Sequence, residues 1–529
     1  MNYSVKIDFN DATCSISGSL KRFTKEGVEF FIDGWIYTEQ RKITSEINQE
    51  LGGVYNIISW DPETKKLRAS NDIFGQRPLY IYLGEDYVFL GDNFWDIAQQ
   101  VNHIEVDISA IEQLQSFRKL VPSWKTPIHN MYRLPAGAHF SYSQDVSEPE
   151  IRQIHTLNQR PDPAISLEKA AEQLHQSLKK QFSLIPDLFP KREVWFGNSG
   201  GMDSRLIPAY AREAGIDIRG FLVTNKRKFI KNRSVKAAEQ IAKLFDFDFI
   251  KLPYDFGDSW NRLLRDIYVN PFGPADFHKN PGYERFKGSL ILNGGNSFSI
   301  ANDNNFWRLK EARRNPEMEM VRKYFIRSDV STEKLNSYVS LMKKQVDEAI
   351  PSGDPFSKLR TIHQVFLNQT SPAGGFESMN LAGEFQYIYH PFATKKAIFW
   401  PEKLFYNRQV QLALLNQFFP NLLKIPDQNG IIWSKYKKDS RFKSGYRWLG
   451  TKLRTNGLDY KNWIQSGWFR NLVKEVEDLT KLTNSTLAEA AIQNVNLYQT
   501  SIDRLDMVKF ATMIVLLETH NFDFNKIKL

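Results

Sequence analysis

The sequence predicts an α/β protein in two parts, a β-rich N-terminal segment and a C-terminal domain built on a parallel sheet. Three observations carry this. Short aromatic and β-branched runs, separated by turn signals, fill roughly the first 140 residues. Between 194 and 252, strand-like and helix-like segments alternate, the pattern of a parallel sheet with helical crossovers. Beyond about residue 310, helical periodicity dominates. At 529 residues the chain is too long for one ordinary core, so two or three domains are expected.

Taken in order, the N-terminal strands are the runs at 28–32, 54–60 and 79–83, separated by turns such as Asp33-Gly34, Asp61-Pro62 and Gly84-Glu85-Asp86. Residues 141–165 are polar and carry Pro149, Pro161 and Pro163, which suits an interdomain linker. Helical patterning starts at Ser166, an N-cap, with Glu168 in the first turn and Leu167, Ala170, Ala171, Leu174 and Leu178 as an apolar stripe. A strand at 194–196 then leads through a Gly-rich turn into a helix over 203–213, stopped by Gly215. A strand at 221–223, a helix over 234–245 and a strand at 249–252 follow. Helical pattern closes the chain at 502–517.

Composition excludes several classes. Apolar residues make up 42% and aromatics 13%, which is globular rather than disordered composition. The net charge of +10 is spread along the chain, and the one compact basic tract is 435–443, so a nucleic-acid partner is not expected. Cys14 is the single cysteine, which excludes an internal disulfide and fits a reducing cytoplasm. The nine histidines include no pair at zinc-site spacing. The longest apolar run, 511–517, falls far short of the ~20 residues needed to cross a bilayer, and residues 1–8 lack the apolar run of a signal peptide. A cytoplasmic protein with no membrane span is the expectation.

The chemistry concentrates in Gly197-Asn198-Ser199-Gly200-Gly201-Met202-Asp203-Ser204, between a strand and a helix. Paired glycines let backbone N–H groups approach a ligand closely, and the helix N-terminus adds partial positive charge. Ser199 and Ser204 add hydroxyls, and Asp203 can hold a magnesium ion bridging phosphates. No Lys-Ser or Lys-Thr follows the glycines, so this is not a Walker A loop. Three readings compete: a tight turn without a ligand, a serine-hydrolase nucleophile elbow on Ser199, and a pyrophosphate-binding loop. The hydrolase could draw on His278, His363, His390 or His520, but it leaves Asp203-Ser204 unexplained and has no His-Gly-Gly-type oxyanion loop upstream. The pyrophosphate loop accounts for every residue.

Ser-Gly-Gly-x-Asp-Ser at 199–204 resembles the signature of the asparagine synthetase superfamily. Asp33-Gly34-Trp35-Ile36-Tyr37, the stretch from Gly53 to Asp61, the stretch from Asn71 to Tyr80, and Leu134-Pro135-Ala136-Gly137 resemble its N-terminal glutamine-amidotransferase domain. The resemblance implies an α/β/β/α Ntn-amidotransferase-like domain over 1–145 and a linker over 146–165. A parallel-sheet ATP-pyrophosphatase (PP-loop) domain with a helical C-terminal part would then span 166–529. It also implies ATP and Mg2+ as cofactors, with Asp203 as the metal ligand.

The departures from the family's pattern bear on function. Glutamine-hydrolysing members carry a nucleophilic cysteine directly after the initiator methionine, where this chain has Asn2, and their Asn-Gly-Glu is Asp33-Gly34-Trp35 here. Without a nucleophile and an oriented pocket the amide cannot be cleaved, so the N-terminal domain is expected to be structural. β-Lactam synthetases and lasso-peptide cyclases show the same loss. The family's acidic pair after a Gly-x-Gly turn is replaced by Phe298-Ser299 following Gly294-Gly295, a segment that is either a plain turn or part of the phosphate site; Asp303 lies close by at different spacing. By analogy Glu384, or Tyr387 at the directly aligned position, orients or deprotonates the attacking amine, and Lys437 neutralises charge on the α-phosphate and departing pyrophosphate; the alternatives are a plain buried or surface carboxylate at 384, and around Lys437 a solvated basic segment or one that contacts an anionic substrate.

The expectation is an ATP-dependent carbon–nitrogen ligase that adenylates a carboxylate of a small molecule or peptide, alongside pathway protein partners. Peptide or natural-product cyclisation, or amidation of a surface polysaccharide, would fit. A serine hydrolase and a non-catalytic scaffold are the alternatives from other classes.

Overall fold

A computed structural model of the chain describes residues 3–36, 53–153, 164–224, 233–253, 259–269, 283–294, 314–326, 330–350, 355–362, 386–392, 409–427, 432–435, 467–493 and 501–519, apart from single positions inside these spans, and a few isolated residues around 271 and 400. Its N-terminal part is a pair of stacked antiparallel sheets. The first is formed by β1 (Ser4–Asp8), β2 (Thr13–Ser17), β7 (Tyr80–Leu83), β8 (Tyr87–Gly91) and β9 (Met131–Arg133), in the order β2-β1-β8-β7-β9. The second holds β3 (Lys21–Lys25), β4 (Val28–Ile36), β5 (Gly53–Asp61), β6 (Lys66–Asn71), β10 (Ala138–Ser143) and β11 (Glu150–Gln153), in the order β11-β10-β6-β5-β4-β3.

Period-two alternation explains the stacking. Val5 and Ile7 of β1, Ile81 and Leu83 of β7, and Val88 and Leu90 of β8 meet Ile58, Trp60, Leu67, Ala69 and Phe140 of the facing sheet in one core. The opposite face of the first sheet, with Tyr80 and Phe89, is covered by α1 (Phe94–Ala98) and α2 (Ile108–Ser116). Both helices start on side-chain caps, Asn93 and Asp107, whose oxygens accept from the first free N–H groups.

The stretch 146–165, expected as linker, differs in its first part. β11 lies inside it and pairs antiparallel with β10, Phe140 opposite Ile151, so the prolines did not prevent an edge strand.

The C-terminal part opens with α3 (Leu167–Ser183), capped as expected by Ser166 Oγ accepting from the Lys169 N–H, with Ala170, Ala171, Leu174 and Leu178 fully buried. After α4 (Ile185–Leu188) come β12 (Val194–Gly197), α5 (Leu206–Glu213), β13 (Ile218–Thr224), α6 (Arg233–Phe245), β14 (Phe249–Pro253), α7 (Ser259–Val269) and β15 (Ser289–Leu292). Among the described residues, the helices α8 (Pro316–Met320), α9 (Thr332–Ala349) and α10 (Pro355–Ile362) precede β16 (Gln386–Tyr389). The strands pair in parallel in the order β14-β13-β12-β15-β16.

That order fixes where a ligand can sit. From β12 the chain moves outward through β13 and β14, then returns to the other side of β12 as β15 and β16. The connections diverge above β12 and β15, and at such a divergence open parallel sheets usually bind ligands in a crevice at the strands' carboxyl ends.

Further elements among the described residues are α11 (Gln409–Phe418), 3-10 turns at Pro420–Lys424 and Trp433–Lys435, α12 (Gly467–Thr483), α13 (Thr486–Gln493) and α14 (Ser501–Thr519). α11 lies on α3 and α5, where the His175 ring stacks on Phe418 with centroids 3.7 Å apart and its Nδ1 lies 3.0 Å from the Tyr210 hydroxyl. α12, α13, α14 and α7 share a core with α1 and α2: Phe94, Trp95 and Leu114 meet Ile267, Leu472, Met507 and Ile514. The Trp95 indole N–H donates to the Ile267 carbonyl at 2.8 Å, and Lys509 pairs with buried Asp266 at 3.0 Å. The apolar run 511–517 is therefore core, and no helix among the described residues is long and apolar enough to cross a membrane.

Candidate active site

The Gly-rich turn leaves β12 at this divergence. The Asn198 N–H continues the sheet by donating to the Phe221 carbonyl at 2.7 Å, and its side-chain amide donates to the Ala238 carbonyl of α6 at 3.0 Å. Gly200 then turns with φ +70°, in the left-handed region, and a Cβ there would lie 2.5 Å from the Ala237 Cβ. Conformation and helix contact therefore both require glycine at 200.

The serines close the turn. Ser199 Oγ accepts from the Gly201 N–H at 3.2 Å and lies 3.2 Å from Ser204 Oγ. Met202 is 1% exposed and belongs to the core beneath the sheet, so its side chain anchors the loop and only its backbone is available to a ligand. Asp203 is half-buried, and its carboxylate accepts a hydrogen bond from the side-chain amide of Gln411 on α11.

The helix expected over 203–213 begins at Leu206, and residues 202–205 form turns. The reason is visible at the Gly201 carbonyl. It accepts from the Arg205 N–H at 3.3 Å, from Arg205 Nε at 3.1 Å and from Ser204 Oγ at 3.3 Å, so side chains share the bonding that would start a regular helix.

Gly294, just past β15, faces this loop. A Cβ there would come within 3.3 Å of the Phe392 ring, 3.4 Å of Ile207 and 3.5 Å of the Asp203 carbonyl carbon. The structure thus brings together Ser199, Gly200, Gly201, Met202, Asp203, Ser204 and Gly294. Tyr387 lies in β16 opposite Leu290 of β15, two residues before the strand's carboxyl end; its side chain is outside the described residues, as are Gly295, Phe298, Ser299, Asp303, Glu384 and Lys437. His278, His363, His390 and His520, which a hydrolase would need, also lie outside them.

Two residues were missed in the sequence. Arg205 is 0% exposed, and its guanidinium donates to carbonyls of the loop. A signal existed, because a cation in the first turn opposes the helix dipole and so calls for another reason to be there. Gln411 is 208 positions from Asp203, and nothing local in the sequence marks it.

The loop fits a diphosphate: a left-handed glycine, a backbone held against α6 with no room for a side chain, and the start of α5. For a magnesium ion the described residues hold no cluster of three metal-binding side chains. Asp203 alone is compatible with magnesium, which binds through one or two carboxylates together with substrate phosphates.

In the N-terminal sheets, Asp33 is held by Arg77 Nε at 2.5 Å, and the Tyr3 N–H donates to Asp92 Oδ1 at 3.1 Å. Burial, with the nearby Asp33, pushes the Asp92 carboxyl up to about 7. Burial and then Glu29 push the Cys14 thiol up to about 12, so it is protonated at neutral pH and unfit as a nucleophile.

Residues 37–152 match the glutamine amidotransferase domain family, a span that runs through β11. The chain is similar to the glutamine-hydrolysing asparagine synthetase 1 of Bacillus subtilis (strain 168), 23% identical over 185 residues, which is 35% of this chain and 28% of that relative. These matches support kinship with the asparagine synthetase and amidotransferase superfamily. Among solved structures, the chain is similar to the NH3-dependent NAD synthetase of Campylobacter jejuni (11% identity, 35% of this chain and 96% of that chain, TM-score 0.20). It is likewise similar to the NMN synthetase of Francisella tularensis (11% identity, 40% and 95%, TM-score 0.20).

Proposed function

We propose that this chain is an ATP-dependent amide-forming ligase that activates a substrate carboxylate as an acyl-adenylate and does not hydrolyse glutamine. The observation that carries the reading is the convergence of the Ser199–Ser204 turn and Gly294 where the connections diverge above β12 and β15. A left-handed glycine, constrained backbone and a helix start are the elements that accept a diphosphate.

In the first step a carboxylate oxygen attacks the α-phosphorus of ATP. The bond to the bridging oxygen breaks, and pyrophosphate leaves into the Gly-rich turn. Backbone N–H groups and the Ser199 and Ser204 hydroxyls bind it, Asp203 offers the carboxylate for magnesium, and Lys437 offsets charge at the α-phosphate. Magnesium, when bound, screens the phosphate charge that grows as the bond breaks. In the second step an amine attacks the acyl carbon, AMP leaves, and Glu384 or Tyr387 orients the amine or takes its proton.

The amine does not come from glutamine in this reading. Cys14, the single cysteine of the sequence, is a half-buried thiol that burial and Glu29 keep protonated, and Arg77 is engaged by Asp33 within the protein. The amine then belongs to the acyl substrate or to a second substrate, as in β-lactam synthetases and lasso-peptide cyclases, and a peptide or natural-product cyclisation in the cytoplasm fits best.

ATP–pyrophosphate exchange with a panel of candidate acids tests this. Exchange that depends on one acid and disappears in Asp203→Ala supports it; exchange untouched by Asp203→Ala means the site is elsewhere.

A further inference from the structure

We infer that Arg205 is a positioning residue that sets the candidate pyrophosphate loop and ties it to the segment that precedes the basic stretch of sequence at 435–443. The inference rests on the proposed function of the loop. Arg205 is fully buried, and its side chain donates to four backbone carbonyls: Gly201 at 3.1 Å, Gly200 at 2.8 Å, Leu422 at 2.7 Å and Ile425 at 3.2 Å. Burying a guanidinium is unfavourable unless its donors are met, and a planar fork is needed to meet four acceptors in different directions. A lysine ammonium, with three donors at one point, cannot span them.

The carbonyls it holds determine the loop's polarity. In a trans peptide the C=O and the following N–H point to opposite sides. With the Gly200 and Gly201 carbonyls turned toward Arg205, the N–H groups of Gly201 and Met202 project the other way, and the Gly201 N–H indeed meets Ser199 Oγ on that side. The same guanidinium presents its charge just under the start of α5, adding to the field an anion would meet there.

The second pair of carbonyls makes the tether. Leu422 lies in the 3-10 turn Pro420–Lys424 and Ile425 follows it, and the next described turn, Trp433–Lys435, leads into the stretch that carries Lys437. Gln411 of α11 bonds Asp203 from the same segment. Residues 411–425 are thus fastened to the loop at both ends, so binding in the loop is felt along this segment.

The test compares wild-type full-length chain with Arg205→Lys and Arg205→Met, using pyrophosphate with magnesium as the probe and calorimetry as the readout. Pyrophosphate affinity should fall about tenfold or more in Arg205→Lys, which keeps the charge but not the fork, measured below the variant's own, lowered melting temperature so that only folded protein is titrated. Arg205→Met should lose more. Hydrogen exchange on the wild type provides a second readout needing no variant: pyrophosphate should protect 409–425 together with 198–206. Unchanged affinity in Arg205→Lys, or protection confined to 198–206, overturns the tether while leaving the phosphate loop standing. Failure of the wild type to bind pyrophosphate removes both.

Discussion

The side-chain amide of Gln411 donates to the carboxylate of Asp203, joining α11 to the loop after β12 across 208 positions of sequence. A donor on this carboxylate competes with a cation for the same lone pairs. We expect Gln411→Met to lower the magnesium concentration giving half-maximal ATP–pyrophosphate exchange by about fivefold, the equivalent of one ordinary hydrogen bond of about 1 kcal/mol. A raised requirement for magnesium would show that Gln411 helps the metal instead.

Gly200 and Gly197 offer a contrast within one loop. Gly200→Ala puts a Cβ 2.5 Å from that of Ala237 at φ +70°, combining left-handed strain with overpacking, and should destabilise the protein by roughly 2–4 kcal/mol. At Gly197 the nearest atom to an added Cβ is Phe221 Cζ at 3.9 Å, so Gly197→Ala should stay close to wild type. Urea denaturation of both variants checks the pair; equal effects would contradict the assigned role of α6.

For Lys437, a cation acting on the developing phosphate charge predicts a loss of exchange on the order of 10²-fold in Lys437→Ala, with substrate affinity little changed. A rise in KM at constant kcat would assign the lysine to ground-state binding instead.

The buried carboxyl of Asp92 predicts a pH dependence. Its folded pKa, about 7, lies above the ordinary value of 3.8, because burial and Asp33 oppose its charge. Between those values the folded state binds the extra proton, so this group's contribution to stability is full below about pH 4 and is lost as the pH rises through 7. Asp92→Asn keeps an oxygen for the Tyr3 N–H and removes the charge. Its stability relative to wild type should therefore increase from pH 5 to pH 8 in denaturant titrations. A constant difference across that range would exclude the assignment.

Much of the C-terminal sheet was legible because each element carries its own periodicity. The strands expected at 194–196, 221–223 and 249–252 appear as β12, β13 and β14 with small extensions, and the helix expected over 234–245 is α6. Ser166 capped α3 as read, since a cap is a local hydrogen bond. Two boundaries failed where tertiary partners decide. β11 forms because β10 offers an open edge, which polar composition around Pro149 does not reveal. α5 starts three residues late because the Gly201 carbonyl is shared with the Arg205 and Ser204 side chains. At the site, Ser199 to Ser204 were found as a contiguous motif, whereas Gln411 and the Leu422 and Ile425 carbonyls are long-range contacts with no local signature.

The seating of α14 against α1 and α2 has a consequence for synthesis. Phe94, Trp95 and Leu114 are made early, yet Met507 and Ile514, which cover them, emerge some four hundred residues later. During translation that apolar flank stays uncovered until residues 501–519 have left the ribosome, exposing it to misassociation and to chaperones. Release of the nascent chain before residues 501–519 are made would yield an aggregation-prone fragment rather than a free-standing lobe.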